Sequence, residues 1–580
     1  MADFDVAIVG GGPAGSTAAS LLKTYRPDLS VLILERARFP REHVGESQLP
    51  PISAILHEMG CWDEVERAGF PIKIGASYTW GRDTGRWDFD FYPVESWRDE
   101  ARPARYDGQR KFTAFQVDRA RYDEILLNHA AHLGATVRQE TSVRDVLREG
   151  DRVTGLKLDS GETVSARHYI DASGVIGLFR RSFGIGSETP QELRNIAIWD
   201  YWQNAEWAVE IGVGATRVQV RSLPFGWIWF IPLGPTRTSI GLVCPNDYHK
   251  RTGKSPAALY KEAVESQPDI AALIEKAEPE GKLQACKDWS HLADRIVGEN
   301  WFICGEAAGF ADPILAAGMT LAHTAARDAA YSIMEIERGE IERDWLTERY
   351  NERNRENIRQ HIRFAQYWYA ANGRFTDLQD HCQAIAAEAG LTLEPEKAWQ
   401  WLAQGGFTHE QVGVATLGSF DLASIKHVMK RFDAEGRPVG LAIDGKNTFR
   451  LNLEGATLGA IGQLKDGRIH QIRCWERDGR RLAVTGYFGS LIEALKKTDD
   501  GNLIIRSYRQ KIADTVPAAS QHHVFHAFLQ ALEVMVEDGW ILATCTPNQP
   551  VFRAAVNRSL FMRDAAEADA ALERRRAASP

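Results

Sequence analysis

Residues 5–22 read DVAIVGGGPAGSTAASLL, and no other stretch narrows so far the folds open to this chain. The short apolar run reads as a strand, GGGPAG as a turn, and the alanine-rich remainder as a helix. Gly10, Gly12 and Gly15 carry the GxGxxG spacing, with Pro13 and Ala14 between the last two. The first glycine permits a tight turn, the second lets a pyrophosphate approach the backbone, and the third lets helix pack closely on strand. The phosphates then lie at the positive end of the helix. A second apolar strand, VLIL, runs into Glu35 about 20 residues beyond Gly15, where a carboxylate can accept from a ribose hydroxyl. A lone GxGxxG is a weak signal, and a glycine-rich turn without function is the competing reading. Strand before, helix after and acid at the second strand's end together predict a dinucleotide site.

At 580 residues the chain is too long for one hydrophobic core, so two or three domains are expected. Its 44% hydrophobic and 25% charged residues are ordinary for a globular enzyme. The net charge of -9 argues against a nucleic-acid partner, whose binders usually carry a basic surface. The cysteines (Cys61, Cys244, Cys286, Cys304, Cys382, Cys474 and Cys545) form no CxxC pair, so neither a zinc site nor a disulfide framework is expected. No targeting segment precedes the first strand, and no apolar run reaches the roughly 18 residues of a membrane span. A cytoplasmic protein without a membrane partner is therefore expected.

Two of the 17 tryptophans stand in FGWIWFIPL, residues 225–233. In a strand, positions i and i+2 face the same way, so Trp227 and Trp229 would lie side by side on one surface of a sheet. Core packing is the plain explanation, since large aromatics bury much area and suit strands. Lys73 is a second oddity, set between isoleucines in FPIKIGASYTWG, residues 70–81. A lysine there either lies on the polar face of an edge strand or is desolvated, in which case its pKa falls.

Further segments decide which nucleotide is bound. RARFPREHVGES at 36–47, FQVDRARYDEILLNHAAHLGA, YIDASG at 169–174, and WFICGEAAGFADPILAAGMTLAHTAARDAA from 301 resemble the FAD-binding fold of the aromatic hydroxylases and their relatives. The resemblance implies an α/β architecture: a Rossmann-like FAD-binding domain with an inserted β-sheet substrate domain near 70–115 and 190–285, together a catalytic domain over 1–375. It assigns flavin contacts to Arg36, Arg41, Gly45, Glu46, Ser47 and Arg119 beside Glu35. Asp171 to Gly174 would be a strand end following the substrate-domain excursion, and Gly305 to Asp312 the second flavin fingerprint. Glu306 stands where the family usually has Asp, and its extra methylene still reaches a ribityl hydroxyl. No second nucleotide fingerprint follows, so a separate flavin reductase is expected to supply FADH2, unless NAD(P)H binds transiently.

Inside that fold, W-x-W-x-I-P at Trp227, Trp229, Ile231 and Pro232 resembles the flavin-dependent halogenases, in which the motif sits beside the flavin. That family, and more narrowly its phenol, pyrrole and carrier-protein branch, implies halogenation with FADH2, O2 and chloride or bromide, through a flavin hydroperoxide and hypohalous acid. The tryptophans would wall the flavin off from the organic substrate. Lys73, in a K-x-G segment, would capture or orient the hypohalous acid. Backbone amides at Ala317 and Gly318, ahead of a helix, would hold the halide, although the alanines depart from the Ser/Thr common there. Tryptophan halogenases place a catalytic Glu where this chain has Leu315. A phenol or pyrrole is more activated than indole's less reactive carbons and needs that carboxylate less, so the resemblance implies a phenolic, pyrrolic or carrier-tethered substrate. Some members join FAD covalently through an Asp, for which Asp288 is the candidate, with a surface or capping Asp as the alternative. An FAD-dependent monooxygenase or reductase on the same fold, with the tryptophans as packing, is the alternative function. A flavin-binding interaction protein is the third.

The resemblance ends near residue 375, and residues 376–580 are expected to form a separate α+β domain, a lid or partner-docking module. Mixed helices are expected to about 430, then a small sheet from RLNLEGATL, RIHQIRCWE and RLAVTGYF. Phe525, Leu529, Leu532 and Val536 fall near helical spacing before a last strand. The tail from 564 reads as a frayed helix.

Overall fold

The structure is a computed structural model that describes residues 2–81, 85–389, 416–417, 420–421, 441–516, 518–553 and 562–578. Two compact units divide the chain, one of residues 1–389, 466–468 and 563–580, the other of 390–465 and 469–562.

In the first unit the glycine turn leads out of a parallel sheet. Its strands among the described residues run Trp301–Ile303, Ala166–Asp171, Phe4–Val9, Val31–Leu34, Thr136–Arg138. Such a sheet is covered on both faces, which explains why Val6, Ala7, Ile8, Leu32 and Ile33 form an unbroken buried run instead of an alternating one. Helices Pro13–Tyr25, Arg119–His132 and Gly318–Arg338 lie against it. Buried His323 fastens the three together: Nδ1 is 2.7 Å from Thr17 Oγ1 and Nε2 3.0 Å from the Tyr122 hydroxyl. Burial pushes the imidazole down to about 3, so the ring is neutral and serves as one donor and one acceptor.

The second large sheet of this unit is mostly antiparallel. Its main path among the described residues is Glu278–Pro279, Asn195–Gln203, Arg237–Pro245, Gly226–Pro232, Ala215–Leu223, Ile72–Thr79, Trp87–Asp90, Met562–Asp564. One face packs Ile198, Ile228, Phe230, Ile240 and Leu242 against Leu259 and Ala263 of helix Pro256–Glu265. Toward the Lys73 strand the same face turns ionic. Arg217 donates to Asp90 at 2.6 and 2.9 Å and to Asp88 at 2.9 Å, while Ser77 donates to Asp88 at 2.6 Å. A buried cation between two buried carboxylates tolerates one alignment, so this cluster fixes the register of three strands.

Residues 565–578 form the helix that the sequence suggested, held at buried positions instead of frayed. Ala568 and Ala571 are fully buried, and Arg563 and Arg575 donate to Glu95 at 2.8 Å and Asp99 at 2.7 Å. Small residues three apart let a helix approach closely, a feature that mean polarity conceals. The second unit holds the pair Thr448–Leu451 with Ile541–Thr544, the three strands Thr457–Lys465, Arg468–Arg477 and Arg480–Ala483, and helices Gly486–Leu495, Gly501–Thr515 and Ala518–Glu537. Of the helices expected over 376–430, Gln379–Glu388 is seen, and most of the remainder lies outside the described residues. Among the described residues no helix is long and apolar enough to cross a membrane.

Candidate active site

Gly10 has φ +103°, and a Cβ there would lie 2.3 Å from the Ala172 carbonyl oxygen. A Cβ on Gly15 would lie 1.9 Å from the Gly10 oxygen. Both positions therefore demand glycine. Helix Pro13–Tyr25 begins at Gly12 without a side-chain cap, with Pro13 and Ala14 in its first turn, so its leading amides stay open to an anion. Glu35 is buried and accepts from the Gly11 and Ala37 amides at 2.7 and 2.8 Å; Arg36 beside it is exposed. Arg41 lies across Phe39 with its guanidinium 4.7 Å from the ring centre, and it would sit 3.3 Å from a Cβ at Gly12. Its Nη1, 3.4 Å from Asp123, is buried and makes no hydrogen bond among the described residues. An overhanging cation with an unused donor, facing an uncapped helix start, fits the pyrophosphate of FAD.

Arg119 is a strut. Nε and Nη2 grip Asp123 at 2.7 and 2.9 Å, and Nη1 donates to the carbonyls of Val44 and Gly45 at 3.0 and 3.2 Å, holding the VGES turn. In that turn Gly45 has φ +98°, and the Ser47 hydroxyl is buried without a hydrogen-bond partner among the described residues. Glu46 accepts from the Tyr201 hydroxyl and the Gly45 amide, both at 3.1 Å, and burial pushes its carboxyl up to about 7. Asp171 accepts from the amides of Ser173 and Phe179 at 3.0 and 2.7 Å, so it shapes the turn beyond its strand. Gly305 takes φ +64°, and the carboxylate of half-buried Glu306 would lie 3.7 Å from a Cβ on Gly174; burial raises the Glu306 carboxyl against the pull of Arg119 and Arg41.

Asp312, at the end of this fingerprint, is where the two sheets are joined. It accepts from the Ile314 amide and the Tyr369 hydroxyl, each at 3.0 Å, and from Trp289 and Asn195 at 3.4 Å; burial still lifts it to about 6. The Tyr369 hydroxyl in turn accepts from Trp227 Nε1 at 2.8 Å. One hydrogen-bonded chain thus runs from the tryptophan strand to the loop that ends at Asp312. Trp229, its ring centre 6.0 Å from that of Trp227, donates to Ser239 at 3.0 Å. Asn195, Tyr201, Trp289 and Tyr369 were not singled out from the sequence. The aromatic run QYWYAAN at 366–372 was the one signal that could have drawn attention to Tyr369.

Lys73 shares the tryptophans' face because of a bulge. Along Ala215–Leu223, Val220 lies opposite Trp229 and Ser222 opposite Trp227, so even-numbered positions face the same way as the indoles. Strict alternation from Ser77, opposite Gln219, would put Lys73 on the other face. The register shifts between Thr216 and Arg217, Ile74 is left without an opposite residue, and Lys73 comes to lie opposite Thr216. Its Nζ is 5.6 Å from the Phe91 ring centre. The side chain is 2% exposed, no anion or hydrogen-bond partner meets it among the described residues, and burial alone pushes the amine down to about 7. The surrounding face is not sealed. Ala76, Tyr78, Val218, Val220, Trp229 and Ile231 keep 3–6% exposure, whereas Ile198, Ile228, Phe230, Ile240 and Leu242 on the reverse face have 0%. The space over these slightly open apolar side chains, beside Lys73 and the tryptophans, is the candidate chamber.

Beyond Asp312, Ala316 has φ +55° and Ala317 leads into helix Gly318–Arg338, whose start again has no side-chain cap. A Cβ on Gly318 would lie 2.4 Å from the Phe310 ring, so the loop closes as it does because glycine is there. Leu315 is buried. Asp288 (φ +51°) is exposed, and its carboxylate accepts from Asn246 at 3.3 Å.

Residues 3–365 match the family described as FAD binding domain. Over 428 residues the chain is 30% identical to a tryptophan 2-halogenase of Chondromyces crocatus, covering 72% of this chain and 74% of that one. Over 390 residues it is 31% identical to a 1H-pyrrole-2-carbonyl-(peptidyl-carrier protein) chlorinase of Pseudomonas fluorescens, covering 64% and 85%. The crystal structure of CmlS, a flavin-dependent halogenase, has a similar fold, with a TM-score of 0.70 over 96% of this chain and 99% of that one at 24% identity.

Proposed function

Since the chain belongs to the FAD-binding domain family and, within it, to the flavin-dependent halogenases, we propose that it chlorinates or brominates a phenol- or pyrrole-type ring, free or carrier-tethered, in the chamber beside Lys73. Its cofactors are FAD in the reduced form, halide and O2. When bound, reduced FAD supplies with O2 the two-electron oxidation that converts halide to hypohalous acid. A separate flavin reductase provides the reduced cofactor.

The residues divide the work by place. The uncapped helix start at Gly12 and the overhanging Arg41 hold the pyrophosphate. The amides of Ala317 and Gly318 hold the halide at a second uncapped helix start. Trp227 and Trp229, pinned through Tyr369 and Ser239, keep the organic ring from the flavin while leaving space for a small acid. Lys73, with its pKa near 7, is divided between amine and ammonium at neutral pH. As ammonium it donates a hydrogen bond to hypohalous acid, and as amine it can carry the halogen as a haloamine, releasing water. The observation that carries this reading is a lysine without a counter-ion among the described residues, turned by a bulge toward the tryptophans' chamber.

The test supplies FADH2, O2 and bromide, and assays phenol, a pyrrole-2-carbonyl pantetheine thioester and tryptophan by mass spectrometry. Brominated phenol or pyrrole from wild type, and none from Lys73→Ala although FADH2 is still oxidised, is the expected result. Oxygenated product that ignores halide would replace the proposal with a monooxygenase. A second reading, an indole acceptor, is favoured by the likeness to the tryptophan 2-halogenase. Position 2 lies in indole's electron-rich ring, where the absence of a carboxylate at Leu315 matters least. Brominated tryptophan alone would select it.

A further inference from the structure

The chamber face carries a second buried polar group that the proposed chemistry leaves unused. Tyr78 lies on the Lys73 strand, opposite Val220, which lies opposite Trp229. Its ring is stacked on Trp87 at 4.7 Å and meets Trp368 edge-on at 5.5 Å, so packing on two sides sets its direction. The residue is only 4% exposed, yet its hydroxyl has no hydrogen-bond partner among the described residues. Buried tyrosine hydroxyls usually have one, and an orphan at a site is an open place for a ligand atom. Burial raises the phenol's pKa, so the group stays protonated and can donate.

The residues between Tyr78 and Lys73 are suited to an aromatic ring. The two positions lie on the same face, roughly 15 Å apart along the strand at about 3.3 Å per residue. Ala76 and Val218, directly opposite each other, keep that face low, and Phe89 and Phe91 stand at its side. A flat apolar bed ends in an amine on one side and a neutral hydroxyl on the other.

We propose that the Tyr78 hydroxyl is the specificity contact of the substrate site, hydrogen-bonding a phenolic hydroxyl while Lys73 faces the ring carbon to be halogenated. The assignment rests on the halogenation reading and narrows it to phenols. Tyr78 is a binding residue, and the electrophile is handled without it.

The experiment compares bromination of phenol with that of N-methylpyrrole, an electron-rich ring that has no hydrogen-bonding group. It uses the full chain with FADH2, O2 and bromide, as wild type and as Tyr78→Phe, which keeps the stacked ring. The ratio of kcat/KM for phenol to that for N-methylpyrrole should fall about 10- to 100-fold in Tyr78→Phe, chiefly through the KM for phenol. An unchanged ratio, including equal loss on both substrates, overturns the proposal. Equilibrium dialysis of phenol separates this from the function itself. If wild type halogenates neither ring, the halogenation reading fails, while weaker phenol binding by Tyr78→Phe still supports the contact. Equal phenol binding by the two proteins, or none by either, overturns it.

Discussion

At the scale of single residues, Lys73 is the group whose charge state the fold most constrains. In the unfolded chain it titrates near its ordinary 10.5, and in the folded chain near 7. Between those values the unfolded chain holds a proton that the folded one has released, so stability rises with pH across that window and is lowest below it. Lys73→Met keeps the buried stem and removes the charge. Thermal melts at pH 6, 8 and 10 should show the variant more stable at pH 6, by on the order of a few kcal/mol. The gain should shrink above pH 7 and vanish near 10.5. A difference that does not change with pH would mean that the folded protein does not depress the amine. The isoleucines around Lys73 made desolvation a legible possibility in the sequence. That the lysine would meet no anion among the described residues was not legible, because the carboxylates of the paired strand, Asp88 and Asp90, are turned to Arg217 on the other face.

At the scale of elements, what could be read was local and what could not was contributed from afar. The strand, glycine turn and helix of residues 4–25 and the tryptophan strand Gly226–Pro232 follow from spacing within about 20 residues, and both are present as expected. The Trp227–Tyr369–Asp312 chain joins residues 142 and 57 positions apart, and no periodicity encodes such a meeting. Arg119 likewise belongs to the right neighbourhood, but its role as a strut depends on Asp123 and the Val44 and Gly45 carbonyls together. The loop ahead of helix Gly318–Arg338 offers a test at this scale. Gly318→Ala forces a methyl to within 2.4 Å of the Phe310 ring and must displace one or the other. The KM for bromide should rise about tenfold, a loss of one good hydrogen bond to an anion, while FAD affinity changes little. An unaltered KM would place the halide elsewhere.

At the scale of the molecule, the chain's last helix returns to the unit in which the chain begins. Truncation after residue 561 removes the buried Ala568 and Ala571, the strand Met562–Asp564 beside Trp87–Asp90, and the Arg563–Glu95 and Arg575–Asp99 pairs. With the arginines largely covered but the carboxylates open to water, these ion pairs contribute up to about 1 kcal/mol each, so most of the effect should come from the uncovered sheet edge. Scanning calorimetry should show the melting temperature down by a few degrees with FAD retained, since the nucleotide turn lies on the other sheet. An unchanged transition would make the helix an appendage. The bulge at Ile74 reaches further, into what a gene encoding this fold can tolerate. Losing the Ile74 codon would straighten the ladder and leave Lys73 opposite Thr216, still looking into the chamber. Gaining one codon there, with the bulge kept, would set Lys73 opposite Ala215 and turn the amine through the sheet toward Arg217. Mass spectrometry of the bromination product should find the deletion active and the insertion silent: reading frames one residue shorter and one residue longer are not equivalent neighbours of this enzyme.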